Sequence, residues 1–148
     1  MTNPTPLIAR ILLASVFLKS GIDKVFGFAG TQAYMAKYMP GLNPILIQIL
    51  LVITIITLLV GGGLILAGYK TRWGAVLLIF FLIPATLIFH TDFSERMQQI
   101  QFFKNLAIMG GLLMVVSSGA GPLSVDSYLY AKKSRYFSRY SSSHFRHF

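Results

Sequence analysis

Cysteine is absent from the chain. Disulfides, thiolate-held metals, iron–sulfur clusters on their usual ligands and an internal dithiol relay are therefore excluded within it. Acids are nearly absent too: Asp23, Asp92, Glu95 and Asp126 are the only four. Charged residues of either sign make up 11%, where a soluble domain carries about 25%. That shortage argues against a water-soluble fold. Histidine is equally scarce. His90 alone lies near an apolar run, while His144 and His147 sit close to the C-terminus. Haem between helices usually takes two axial ligands, so bis-histidine haem within one chain is not expected, and no metal site is either. No Ser/His/Asp arrangement in a catalytic context is present, and there is no thiol nucleophile.

What the chain has instead is apolar length and basic ends. Hydrophobic residues make up 55% of it, and Lys plus Arg number 13, for a formal net charge of +9. In a soluble chain that excess would point to nucleic acid. Here the basic residues flank long apolar runs, so membrane topology explains them and no nucleic-acid partner is expected. A spanning helix needs roughly 20 mostly apolar residues. Four segments meet that requirement, at about 7–28, 44–68, 72–90 and 99–118. The first is not a cleaved signal peptide, because its uninterrupted run, Ile11 to Leu18, is followed by Lys19 and not by a small-residue cleavage site. The expected fold is all-α: a four-transmembrane-helix bundle over residues 7–126, with a basic tail at 127–148.

An even number of spans puts both termini on one side. Arg10, Lys70, Arg72, Lys132, Lys133, Arg135, Arg139 and Arg146 fall on that side. Lys24, Lys37, Arg96 and Lys104 fall on the other, with Asp23, Asp92 and Glu95. The basic excess predicts cytoplasmic N- and C-termini, with the 29–43 and 91–100 segments as outward loops. The tail, KKSRYFSRYSSSHFRHF, repeats Ser-Arg-Tyr at 134–136 and 138–140. It reads as a mobile segment held on anionic headgroups by its basic residues, or as a dock for a partner subunit.

The stretch FLKSGIDKVFGF (17–28) places charge inside the first span. At 100° per residue, Ser15, Lys19 and Asp23 form one stripe, while Lys24 points about 140° away from Lys19. Lys19 lies roughly 18 Å along the helix from Leu7, past the midplane of a ~30 Å core. A charge left in hydrocarbon there costs at least about 2.5–3.5 kcal/mol, so Lys19 must snorkel, pair or face the bundle interior. Asp23, one turn on, is at pairing distance. Other spans carry polar groups at the same depth. Thr86 and His90 close the third; Gln98, Gln101 and Asn105 share a face of the fourth beside Lys104; Thr54 and Thr57 lie on the second. Turned inward, these make an outer-end pocket lined by Lys19, Asp23, His90, Gln101, Lys104 and Asn105, with Asp92 and Glu95 at its mouth. The competing reading is structural: a self-neutralising pair, amides joining helices, and Lys24 and Lys104 snorkelling to headgroups. The glycines at 61–63, 68, 110 and 111 read as close-packing positions.

Five pieces in order carry a family resemblance. They are RILLASVFLKSGIDK (10–24), GGGLILAG (61–68) with TRWGA (71–75), FHTDF (89–93), FFKNLAIMGGLLM (102–114) and GAGPLSVD (119–126). Together they resemble DoxX-type membrane proteins over about residues 8–126. One departure matters: relatives often carry a glutamate before the second-span glycines, and here residues 57–60 read TLLV. The resemblance implies a four-helix bundle in a bacterial inner membrane or another energy-transducing membrane. It also implies a place as membrane subunit or accessory of a quinone-linked oxidoreductase or redox-protective complex. Quinone is then the cofactor to expect, with a small anion as the other candidate for the pocket, and other subunits or further copies of the chain are the expected partners. A non-catalytic scaffold or assembly factor is the alternative, and a small-solute transporter a third. No catalytic residue is assigned.

Overall fold

A computed structural model describes the backbone of residues 3–144 and the side chains of residues 3–135. His147 and Arg146 lie outside the described residues, as do the side chains of Arg139 and His144. Six helices follow in order: α1 (Thr5–Phe26), α2 (Phe28–Tyr38), α3 (Pro44–Ala67), α4 (Thr71–Phe89), α5 (Arg96–Ser118) and α6 (Val125–His144). Four of them, α1, α3, α4 and α5, are long and apolar enough to cross a membrane.

The spans begin and end where local chemistry dictates. Pro6 and Pro44 lie in the first turns of α1 and α3, where a missing N–H costs nothing. Asn43 caps α3, its side chain accepting from the Ile45 N–H at 2.8 Å. Gly68 ends α3 in the left-handed conformation, φ 67°, and Lys70 follows at φ 44°, so the chain reverses within three residues into α4. α4 then runs through Pro84 to Phe89.

α1 packs along α3, α3 along α4, and α4 along α5. The seams are tight where glycine removes a side chain. A Cβ on Gly61 would lie 2.6 Å from Leu78 Cγ, and one on Gly74 2.9 Å from Leu64 Cβ. Gly62 and Gly111 sit against Leu18 and Leu13 in the same way, whereas a Cβ on Gly63 or Gly110 would meet no neighbour within 4 Å among the described residues. Ala14, Phe17, Leu58, Ile65, Leu78 and Leu112 form the main core. Large apolar side chains such as Leu12, Ile53, Ile56, Leu87 and Leu113 point outward. That is the pattern of a bundle whose solvent is hydrocarbon.

Two expectations are corrected. The 29–43 segment is not a loop: α2 occupies Phe28–Tyr38 and packs on α3 through Met35, against Ile47 and Leu51. The first span is accordingly shorter than 7–28, ending at Phe26 with a break at Gly27. The basic segment after the bundle is helical from Val125 to His144.

The N-terminal end of α1, the α3–α4 turn and the start of α6 meet at one end of the bundle, in a clasp. Arg10 is only 2% exposed, and its Nη2 donates to the Leu123 carbonyl at 2.6 Å. Its Nη1 lies where a Cβ on Gly68 would be, so the left-handed glycine also makes room for the guanidinium. Asp126 reaches back across the turn. It accepts from the backbone N–H groups of Lys70 (2.8 Å) and Thr71 (3.2 Å) and from the Thr71 hydroxyl (3.2 Å). α4 thus receives its N-terminal carboxylate from another element, where the helix dipole favours negative charge. The Asp126 N–H in turn donates to Gly68 O.

Candidate functional site

α1 and α5 meet near the clasp, where Leu13 lies against Gly111, but have little other contact. Between them, toward the other end, is a cleft of about 880 Å³, at the upper end of the range for ligand pockets. Its floor is apolar: Phe17, Leu58, Phe81, Leu82 and Ile108. Its polar lining comes from four helices and the end of α4.

All six residues expected in the pocket line this one cleft: Lys19, Asp23, His90, Gln101, Lys104 and Asn105. Lys19 Nζ pairs with the Asp23 carboxylate at 2.7 and 3.0 Å, with the two side chains 76% and 57% exposed. They form a margin of the cleft and are not a buried centre. Asn105 is buried, and its Nδ2 donates to Thr86 Oγ1 at 3.0 Å, while the Thr86 hydroxyl donates to the Leu82 carbonyl at 2.7 Å. That amide joins α4 to α5 and presents its remaining edge to the cleft. Gln101 and Lys104 make no hydrogen bond to another described residue.

His90 closes α4 and belongs to a polar chain. Its Nδ1 lies 2.7 Å from Gln98 Oε1, and Gln98 Nε2 donates to the Tyr38 hydroxyl at 3.2 Å. Facing an amide oxygen, Nδ1 is placed to donate, and a neutral imidazole so arranged offers Nε2 as an acceptor. Tyr34, Tyr38 and Phe89 stack around this chain, with centroids 4.8–5.7 Å apart. Partial burial, and then the Tyr38 hydroxyl, push the Tyr34 phenol above its usual range, so it is a neutral donor at physiological pH. These rings fix α2 across the end of the cleft farther from the clasp.

Asp92 and Glu95 do not form the mouth. Both are exposed and neither lines the cleft. Asp92 folds back on Ser94, accepting from its hydroxyl and its backbone N–H, and these two bonds hold its carboxyl below the usual range. Ser15 also leaves the stripe, donating to Leu12 O.

Sequence reasoning missed Lys24, Ser20, Thr31 and Tyr34 as lining residues. For Lys24 the signal was present. On α1 the cleft is lined by Val16, Phe17, Lys19, Ser20, Asp23, Lys24 and Gly27, an arc of about 160° at 100° per residue. Lys19 and Phe17 are its two edges, and Lys24, 140° from Lys19, lies just inside the Phe17 edge, so an arc this wide takes in both lysines. Lys24 is half-buried and donates to Ser20 Oγ at 3.0 Å.

Comparison with known proteins gives the same frame. The DoxX family model matches residues 5–91, and the SURF4 family model matches residues 68–134. The chain is 38% identical over 128 residues to the inner membrane protein YqjF of Escherichia coli, covering 85% of this chain and 92% of that protein. It is 34% identical over 125 residues to the inner membrane protein YphA of the same organism, covering 81% and 86%. A shorter stretch of 78 residues is 32% identical to the ER-derived vesicles protein ERV29 of Saccharomyces cerevisiae, covering 49% of this chain and 25% of that protein. No solved structure matches. Four spanning helices and two inner-membrane relatives matched over most of their length make this a bacterial inner membrane protein, and the chain belongs to the DoxX family.

Proposed function

We propose that the protein is the membrane subunit or accessory of a quinone-linked redox complex, with the cleft between α1 and α5 as the place where a quinone docks. The observation that carries this reading is the combination of lateral opening, apolar floor and hydrogen-bond donors around one cavity of about 880 Å³. A planar ring fits between Phe17, Phe81 and Leu82, and its carbonyl oxygens fit within reach of ammonium and amide donors from Lys24, Gln101 and Lys104. An isoprenoid tail leaves through the gap between α1 and α5 into the acyl chains. When bound, a quinone supplies an acceptor for two electrons and two protons. The chain's own part is to admit the ring from the bilayer, orient it, and keep a proton acceptor, His90 Nε2, at the end of the cleft. With no cysteine to hold a redox centre, the electron donor belongs to a partner subunit. The basic residues around the clasp support a cytoplasmic position for that end and for both termini.

Ala85 lines the cleft floor, and Ala85→Trp fills it. Protein purified from native membranes in mild detergent should yield quinone on organic extraction, and Ala85→Trp should yield several-fold less at the same thermal stability. Parent protein without extractable quinone, from membranes rich in it, would end this reading.

A further inference from the structure

The three lysines of the cleft are not equivalent. Lys19 gives both its short contacts to Asp23, so that pair is neutral as a unit. Lys24 meets only the uncharged Ser20 hydroxyl, and Asp23, the nearest acid, is already held by Lys19. Lys104, across the cleft on α5, meets no carboxylate among the described residues. The other three acids are elsewhere: Asp126 is bound in the clasp, and Asp92 and Glu95 lie in the α4–α5 connection, off the cleft. Three ammonium groups therefore face one carboxylate, leaving two positive charges in excess at the cleft, the half-buried Lys24 and the more exposed Lys104, over an apolar floor. Cations at membrane depth are costly unless paired, and low-dielectric walls strengthen whatever pairing they find.

We infer that the cleft is selective for an amphiphile whose head carries net negative charge on phosphate-type oxygens, with Lys24 and Lys104 as its anchoring cations and the Lys19–Asp23 pair outside the contact. Such oxygens accept charge-assisted hydrogen bonds from two ammonium groups at once, which a zwitterionic head offsets with its own cation. Phe17, Leu58 and Leu82 take the first part of the acyl chain, and the gap between α1 and α5 lets the remainder lie in the bilayer. The inference shares with the proposed function only the premise that the cleft is a ligand site, and it does not require a quinone.

The test uses the full chain in neutral detergent, titrated with phosphatidylglycerol, phosphatidylcholine or inorganic phosphate and read by native mass spectrometry. Phosphatidylglycerol should bind well above phosphatidylcholine. Lys24→Gln and Lys104→Gln should each weaken it about fivefold, the weight of one basic residue against an anionic headgroup. Lys19→Gln combined with Asp23→Asn removes no net charge and should bind as the parent does. Each variant is checked for an unchanged unfolding midpoint, and the two lysine variants test the same claim independently. Binding of phosphatidylglycerol well above phosphate supports an amphiphile; phosphate binding as strongly as phosphatidylglycerol assigns the site to a soluble anion and overturns the inference. Equal binding of the two lipids, or lysine variants indistinguishable from the parent, overturns the inference. Quinone without charge preference would overturn it and leave the redox reading standing; phosphatidylglycerol without quinone would do the reverse.

Discussion

Replacing Asp126 by alanine removes three hydrogen bonds and a charge at once. The carboxylate caps α4 through Lys70 N–H and Thr71 N–H and holds the Thr71 hydroxyl. Loss of a cap costs about 0.5–2 kcal/mol. Asp126 is also the carboxylate that acts on the buried Arg10 guanidinium, whose Nε and Nη1 have no partner among the described residues. The two groups are not in direct contact, so loss of this counter-charge costs less than the about 3–5 kcal/mol of a broken buried pair. Together with the cap, Asp126→Ala should cost about 2–3 kcal/mol. Asp126→Asn keeps an oxygen for one N–H but no charge, and should fall between parent and alanine. Trp73, the only tryptophan, stands in the first turn of the helix being capped, so its fluorescence reports the event during unfolding in mixed detergent–SDS micelles. The decisive comparison is made in an Arg10→Met background. There the cation is gone, and Asp126→Ala should cost only the cap, about 1–2 kcal/mol. The same cost in both backgrounds would show that the two ends of the clasp are independent and refute the reasoning.

Gly68→Ala should be at least as damaging. A Cβ would sit 1.7 Å from Arg10 Nη1 at φ 67°, and the guanidinium would have to leave Leu123 O; unfolding in the same micelles should show a loss above about 3 kcal/mol. Asn105→Leu gives up a single interhelical bond, and should cost about 0.6–1.7 kcal/mol by the same measurement. Asp23→Leu leaves Lys19 unpaired in the half of the span away from the clasp, and should reduce membrane-inserted protein on carbonate extraction, while Lys19→Leu with Asp23→Leu restores it. For Asp92, a carboxyl held below its usual range contributes order to the α4–α5 connection that is present above the unfolded value and lost as pH falls through the folded one. Ser94→Ala should raise the Asp92 titration midpoint seen by NMR; an unmoved midpoint would assign the depression to something other than Ser94.

The spans were legible because lipid imposes a simple rule: about 20 apolar residues, with breaks at Pro40, Gly41 and Pro44 and at Gly119, Gly121 and Pro122. α2 was not, because 11 residues with two glycine-flanked starts and modest polarity carry neither a spanning run nor a clear periodicity. In the cleft, the i, i+4 spacing of Lys19 and Asp23 foretold their contact. For Lys24 the 140° divergence from Lys19 was legible, but the width of the arc that the cavity takes from α1 was not, because the facing helices set it. The clasp was invisible for a similar reason. Arg10, Gly68 and Asp126 all fell in stretches noted for family likeness, yet Arg10 and Leu123 are 113 residues apart and Lys70 and Asp126 are 56 apart. Nothing in the sequence announces which distant carboxylate will cap a helix whose own N-terminal residue is a lysine.

The clasp also bears on the order of assembly. Chains emerge N-terminal end first, and the carboxylate that finishes the α3–α4 reversal is translated only after the last span. Until then α4 enters the bilayer with its leading amides bare and Arg10 without an opposing charge. A nascent chain stalled after residue 118 would hold all four spans yet lack Leu123 and Asp126, the two residues through which the clasp is made. Release of residues 119–126, and not insertion of any single span, is therefore the moment at which the clasp can close.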